Sequence, residues 1–152
     1  MGTNHRGRQS IRFPQPPVVR GFASVAGKKE REGPLGDQFT ATVQDTTFGE
    51  KSWERAERRM QQMTLELALE KAGLTDADLD AAFAGDLLNQ CIGSSFSLRN
   101  RGVPTLGLYG ACSTMAESLL LAAMSVSGGY ARTALAMTSS HFASSERQYR
   151  FP

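Results

Sequence analysis

Apolar side chains along this chain recur with two periods, one suited to strands and one to helices, and their alternation lays out an α/β protein. Residues 18–26 read as a first strand, with Val18, Val19, Phe22 and Val25 apolar and Gly21 marking a close backbone approach or a bulge. Between 53 and 72 the period lengthens. Trp53, Ala56, Met60, Met63 and Leu67 return at three- and four-residue steps and form one stripe of a helix, which also makes Met60 and Met63 core residues. Ser52 is placed to cap its start, Glu54 suits the first turn, and Gly73 ends it. Thr75 and Asp78 have capping-box spacing and begin a short helical turn ahead of a buried second strand at 81–84. A third strand at 105–109 leads through Gly110 and Ala111 to Cys112. A second long helix follows to about Ser127, closed by Gly128 and Gly129, and a fourth strand covers 133–138. Strands alternating with helices in this order predict a mostly parallel sheet with right-handed crossovers.

The connecting segments are polar. Residues 1–17 are basic and proline-rich and form an extended N-terminal arm without a core of its own, while 28–36 carry turn chemistry at a solvated loop tip. The helix after Cys112 is different in kind: Met115, Leu119, Leu120, Leu121, Met124 and Val126 leave Glu117 and a few serines as its only polar positions. Such a helix must be covered all round.

Composition narrows the class without changing it. The chain has 152 residues, 40% hydrophobic and 21% charged, enough for one domain with a buried core. Its formal charge of +2, with Arg6, Arg8, Arg12 and Arg20 early in the chain, is too small to argue for nucleic acid. Cys91 and Cys112 have no CxxC-type spacing, so no disulfide framework, metal site or cofactor is expected, and a reducing compartment fits. The N-terminus runs into Pro14, Pro16 and Pro17 with no apolar stretch behind it, unlike a signal peptide. Met1-Gly2 resembles a myristoylation start, but Arg6 stands where Ser or Thr is wanted. The most apolar stretch, 115–126, is too short to cross a bilayer, so a membrane role would be peripheral.

The chemistry concentrates at Cys112. A thiol between a strand and a helix, flanked by small residues, sits where unpaired N–H groups and the helix dipole favour negative charge. The same donors can receive a carboxylate or phosphate from a ligand. Asp86, Asn89 and Gln90 leave the C-terminal end of the second strand, where ligands bind in parallel sheets, though they equally suit capping or turn roles. Ser139, Ser140 and His141 lie in a loop on the same edge. Cys91 reads as a small structural hydrophobe.

With these residues in place the chain resembles the thiolase-like superfamily, in particular ketoacyl-synthase-III-like proteins, on the Ala111-Cys112-Ser113 context opening a buried helix. A narrower resemblance rests on Ile11-Arg12-Phe13, the run from Gly85 to Gln90, the run from Tyr109 to Thr114, and the segments from Ser140 to Phe142 and from Glu146 to Pro152. Together these are similar to the stage V sporulation AD family of spore-forming Firmicutes. The resemblance implies a thiolase-like α/β half-domain over 18–152, with a mostly parallel sheet and a buried central helix, one half of a duplicated fold and therefore truncated. It implies a non-catalytic protein that binds dipicolinic acid, alone or as its calcium chelate, and serves its uptake and release in sporulation and germination. Membrane-embedded proteins of the same transport system, a homo-oligomeric state and a place in the spore or forespore, peripheral to the inner membrane, follow from the same likeness. The candidate ligand-binding set is Cys112, Ser113, Asp86, Asn89 and His141, with Arg147 and Arg150 as further cations for a flat dianion. The alternative is an acyl-transfer enzyme with Cys112 as nucleophile. A third expectation is an interaction module that docks on membrane partners or a second copy.

Overall fold

A computed structural model describes residues 4–150. In chain order, β1 (His5–Arg6) and β2 (Ser10–Ile11) form a small antiparallel hairpin. β3 (Val25–Gly27), the short α1 (Lys28–Arg31) and β4 (Ala41–Val43) follow, with β3 and β4 paired in parallel. Next come α2 (Trp53–Ala72), β5 (Ala81–Gly85), α3 (Ile92–Leu98) and β6 (Thr105–Leu108). α4 (Thr114–Ser127), β7 (Ala134–Thr138) and α5 (Phe142–Arg150) complete the order. The main sheet is wholly parallel, in the order β6-β5-β7. The architecture is therefore α/β with a mostly parallel sheet, in agreement with one half of a thiolase-like fold.

The long helix obeys its capping signals. Ser52 Oγ accepts the Arg55 N–H at 3.4 Å, and Gly73 ends the helix in the left-handed region at φ 65°. Thr75 and Asp78 close the capping box, with Asp78 Oδ2 accepting both the Thr75 N–H and the Thr75 hydroxyl at 2.8 Å. Leu65 of α2, Leu98 of α3, Ala82 and Ala84 of β5, and Met137 of β7 form the core on one face of the sheet. Side chains alternate along β5, so Phe83 and Gly85 face the other way, toward α4.

Four expectations are corrected. The first strand does not run from residue 18. Only 25–27 pair, while Val18, Val19 and Phe22 remain 78%, 76% and 74% exposed, because among the described residues no strand lies beside them to take their N–H and C=O groups. Gly21 does mark a close approach: a Cβ there would lie 2.8 Å from the Ala68 carbonyl oxygen of α2. The run at 28–31 is a short helix rather than only a turn. The loop after β7 passes into α5, which has no apolar stripe to announce it, its buried residue being Ser144. Finally, α4 is covered on one side only among the described residues. Its small residues Thr114, Ser118 and Ala122 are buried against the sheet, allowing close packing, while Met115, Leu119, Leu120 and Met124 are 42–48% exposed.

Candidate functional site

Cys112 lies in a 3-10 turn, Ala111–Ser113, directly ahead of α4, so the thiol stands at the junction of the β6 end and a helix start. The turn is tight enough to force its sequence. Ala111 adopts a left-handed φ of 49°, a conformation that costs a non-glycine residue about 1 kcal/mol. At Gly110 a Cβ would fall 2.3 Å from Ser113 Oγ and 2.4 Å from Glu117 Oε1, so a larger residue would push both side chains out of their present bonds. Ser113 Oγ lies 2.7 Å from the Gly110 carbonyl oxygen and 2.6 Å from Glu117 Oε1, and Thr114 Oγ1 accepts the Gly110 N–H at 3.1 Å. Cys112 and Ser113 are both exposed.

Cys112 forms part of the wall of an open groove of about 1060 Å³. The groove runs between α2 and α4 along the whole of β7, with Gln61 and Ser139 near the Cys112 end. The other expected site residues are placed differently. Asp86 is buried and accepts the N–H groups of Leu88 and Ser94 at 2.9 and 2.7 Å and the Ser94 hydroxyl at 2.6 Å. It thereby caps α3 from outside, a task that Cys91 at the N-cap leaves undone. Asn89 is exposed, and its backbone N–H donates to Gln148 Oε1 at 2.9 Å. His141 packs between Trp53 and Phe48, with ring centroids 5.6 and 6.3 Å away, and its Nε2 meets the Thr46 carbonyl oxygen at 2.8 Å. Of the expected set, only Cys112 is among the groove-lining residues, so the five do not converge on one pocket. Arg147 and Arg150 are engaged by Glu54 and Glu146 at 3.1 and 3.0 Å.

Cys91 is structural. It is buried, its thiol donates to the Leu108 carbonyl oxygen at 3.1 Å, and burial pushes the thiol's pKa up, away from thiolate chemistry. Gln90 and Cys91 are both left-handed, at φ 57° and 52°, which turns the chain sharply from β5 into α3. Tyr109 and Tyr149 share a hydroxyl contact beside the Leu87 carbonyl, and that bond pushes Tyr149 up to about 12.

What sequence periodicity missed is a buried polar relay beneath the groove. Glu57 and Gln61 of α2 are both buried, one turn apart on the face that also buries Ala56, Met60 and Leu65. The Gln61 amide donates to Ser94 Oγ at 3.1 Å and to Ser139 Oγ at 2.6 Å, while Ser97 Oγ donates to its oxygen at 2.7 Å. Glu57 accepts the hydroxyls of Ser139, at 2.7 Å, and Ser144. The relay thus ties α2, α3, the β7 end and α5 together. The four-residue spacing from Glu57 to Gln61 to Leu65 was the available signal.

Burial raises the Glu57 pKa above its ordinary value of 4.5; the Ser144 and Ser139 hydroxyls oppose this, Asp86 adds to it and His141 opposes it. A raised carboxyl pKa means that the folded state holds a proton after the unfolded chain has released it. Stability from this group is therefore full below pH 4.5 and falls as pH rises toward the folded-state pKa, levelling off above it. Urea unfolding at a series of pH values should show this loss in the wild type and a flatter profile in Glu57→Gln. An unchanged slope in the variant would remove Glu57 as its source.

These features define an α/β protein that presents a thiol at a strand-to-helix turn over an open groove. A family model of stage V sporulation protein AD matches residues 7–152. The chain is also 43% identical over 146 residues to the stage V sporulation protein AD of Bacillus subtilis (strain 168), covering 96% of this chain and 43% of that protein. The chain belongs to the stage V sporulation protein AD family, a sporulation-related family, and spans less than half the length of this relative. Among the described residues no helix is long and apolar enough to cross a membrane.

Proposed function

We propose that this chain is a dipicolinate-binding, non-catalytic component of the machinery that moves pyridine-2,6-dicarboxylic acid into and out of the spore, active in sporulation and germination. The observation that supports it is the exposed Cys112–Ser113 turn at the start of α4, a polar mouth on a groove whose walls include Met115 and Leu119. A flat dicarboxylate suits a helix start at its charged edge and apolar walls on its faces. The bound form is the free acid or its calcium chelate, and Glu117 beside the turn favours a ligand that brings its own cation. Binding rather than catalysis is favoured because His141, a potential base, is held by Thr46 and its aromatic neighbours away from the groove wall. Titration calorimetry with dipicolinate, with and without calcium, should give saturable heat on this chain and on the longer relative. Cys112→Asp, which puts like charge at the mouth, should weaken binding by roughly tenfold or more. A folded relative that shows no binding overturns the reading.

The left-handed Ala111 and the exposed thiol after it also favour a second reading, acyl transfer with Cys112 as nucleophile. Incubation with acyl-CoA thioesters of several lengths followed by intact-mass measurement decides it, since this reading requires an adduct that Cys112→Ala lacks.

The partners in this reading are membrane-embedded proteins of the same transport system and a second copy of the chain, with the protein in the spore or forespore, peripheral to the inner membrane. The exposed stripe of α4 supports self-association, because an apolar helix face left in water favours contact. Leu120→Lys should shift sedimentation from dimer to monomer. A wild type that sediments as a monomer at high concentration would count against it.

A further inference from the structure

The N-terminal hairpin carries a charge pattern that the Cys112 turn does not use. No acidic residue precedes Glu30 in the sequence, while Arg6, Arg8 and Arg12 fall within the hairpin and its exit. Register sorts these side chains. His5 pairs with Ile11 and Arg6 with Ser10, and the ladder continues as the Arg12 N–H donates to the Asn4 carbonyl oxygen at 2.9 Å. Because side chains alternate along a strand, His5, Ile11 and Phe13 share one face and Arg6, Ser10 and Arg12 the other. The first face borders a cleft with Met124, Ser127 and Gly128 at the C-terminal end of α4, which leaves the arginine face turned outward. On that face Arg6 and Arg12 are diagonal neighbours, about 7–8 Å apart, and Arg8 lies in the turn after Gly7, whose φ is 66°.

All three arginines are exposed, and among the described residues none meets a carboxylate, whereas Arg58, Arg101 and Arg147 each do. Like charges held this close disfavour the hairpin, so folding does not account for them, and a negatively charged partner does. Beside the hairpin stands Tyr130, 89% exposed, with its ring against the Gly128 that borders the same cleft: a Cβ on Gly128 would lie 3.0 Å from two of its ring carbons. Arginines next to an exposed tyrosine suit the headgroup layer of a membrane, where the cations meet phosphates and the ring sits at the boundary. A nucleic-acid duplex fits less well. Holding one takes about six to ten phosphate contacts, and this face has three cations on strands of two residues each.

We propose that the outward face of the N-terminal hairpin, Arg6, Arg8 and Arg12 with Tyr130 beside them, is a docking surface for the anionic phospholipid headgroups of a bilayer. Each cation near such a surface strengthens binding by about fivefold, so three of them orient the protein on a membrane without anchoring it. The hairpin lies at the C-terminal end of α4 and Cys112 at its start, about 20 Å away along the helix. A chain docked through the hairpin therefore keeps the Cys112 turn clear of the headgroups. The surface does not depend on dipicolinate binding.

Vesicles of phosphatidylglycerol and phosphatidylcholine in equal parts, and vesicles of phosphatidylcholine alone, are sedimented with this chain at low salt. The partition coefficient should be about a hundredfold higher on the anionic vesicles and should fall to the neutral value near 1 M salt, where the Debye length is about 3 Å. The triple variant Arg6→Gln/Arg8→Gln/Arg12→Gln should lose that difference while its unfolding midpoint stays the same or rises. Lys51→Gln/Arg55→Gln/Arg99→Gln removes the same charge from exposed positions elsewhere and should keep it. A hairpin variant that still prefers anionic vesicles overturns the assignment to this face, and a control variant that loses as much reduces the effect to net charge and overturns it too. Equal partition of the wild type onto both vesicles, as the exposed stripe of α4 alone would give, removes charge as the cause. Short duplex DNA that binds the wild type more tightly than the anionic vesicles would hand the arginines to nucleic acid and overturn the lipid source. Dipicolinate calorimetry on the hairpin variant reads the other site, so the failure of one reading leaves the other standing.

Discussion

Asp86→Ala should destabilise the protein by about 4 kcal/mol. The carboxylate is buried and accepts three hydrogen bonds, two of them from the backbone N–H groups of Leu88 and Ser94. Alanine orphans both donors, each at a cost of about 1–3 kcal/mol, and leaves α3 without its cap. Asn at the same position keeps one accepting oxygen and should lose about half as much, because an amide nitrogen cannot receive the second N–H. Urea denaturation measures both. The result also separates two roles for the residue. A group that contacts ligand would lose binding with little change in the unfolding midpoint, whereas Asp86 should lose stability first, and binding only as far as the turn from β5 to α3 is disturbed. A stable Asp86→Ala that fails to bind would restore Asp86 to the ligand-contacting set.

The same residue shows why the site was less legible than the fold. The long helix, the three strands of the main sheet and the position of Cys112 could be read from period and capping, because Ser52, Gly73, Thr75 and Asp78 act on their own neighbours. Those interactions are local, and local chemistry is written in local sequence. Residues 18–23 show the limit from the other side. Their apolar pattern is that of a strand, but a strand also needs a partner, and period 2 carries no information about who that partner is. The buried relay is harder still. Glu57 meets Ser139 and Ser144, and Gln61 meets Ser94, Ser97 and Ser139, across separations of 33 to 87 residues. Nothing in the spacing of one segment reveals such pairs. The general geometry of parallel sheets puts Asp86 and Asn89 just past the C-terminal end of β5, but it does not say which way each side chain turns. His141 likewise reaches the correct edge and then packs against Trp53.

Gly85→Ala should cost about 3 kcal/mol or more, although it adds a single methyl group. A Cβ at this position would fall 2.2 Å from the Leu108 carbonyl oxygen and 2.5 Å from Thr114 Cγ2. The first is backbone of β6 and the second belongs to the buried first turn of α4, so neither can swing aside as the end of a flexible side chain would. Relief requires the β6 end and the α4 start to move apart, and Cys112 lies between them. The control is Gly107, one residue from the β6 end, where a Cβ would meet nothing within 4 Å. Alanine there should be neutral, or stabilising by about 0.4–1 kcal/mol through the unfolded chain. Thermal unfolding of the pair isolates the packing effect, since both changes add the same atoms to strands of one sheet. The Gly85 variant should also expose the turn, so the Cys112 thiol should react faster with a maleimide or disulfide reagent than in the wild type, while Gly107→Ala leaves that rate unchanged. Equal stability of the two variants would mean that the β5, β6 and α4 ends do not pack this closely, and the tight seat for the Cys112 turn would be lost with it.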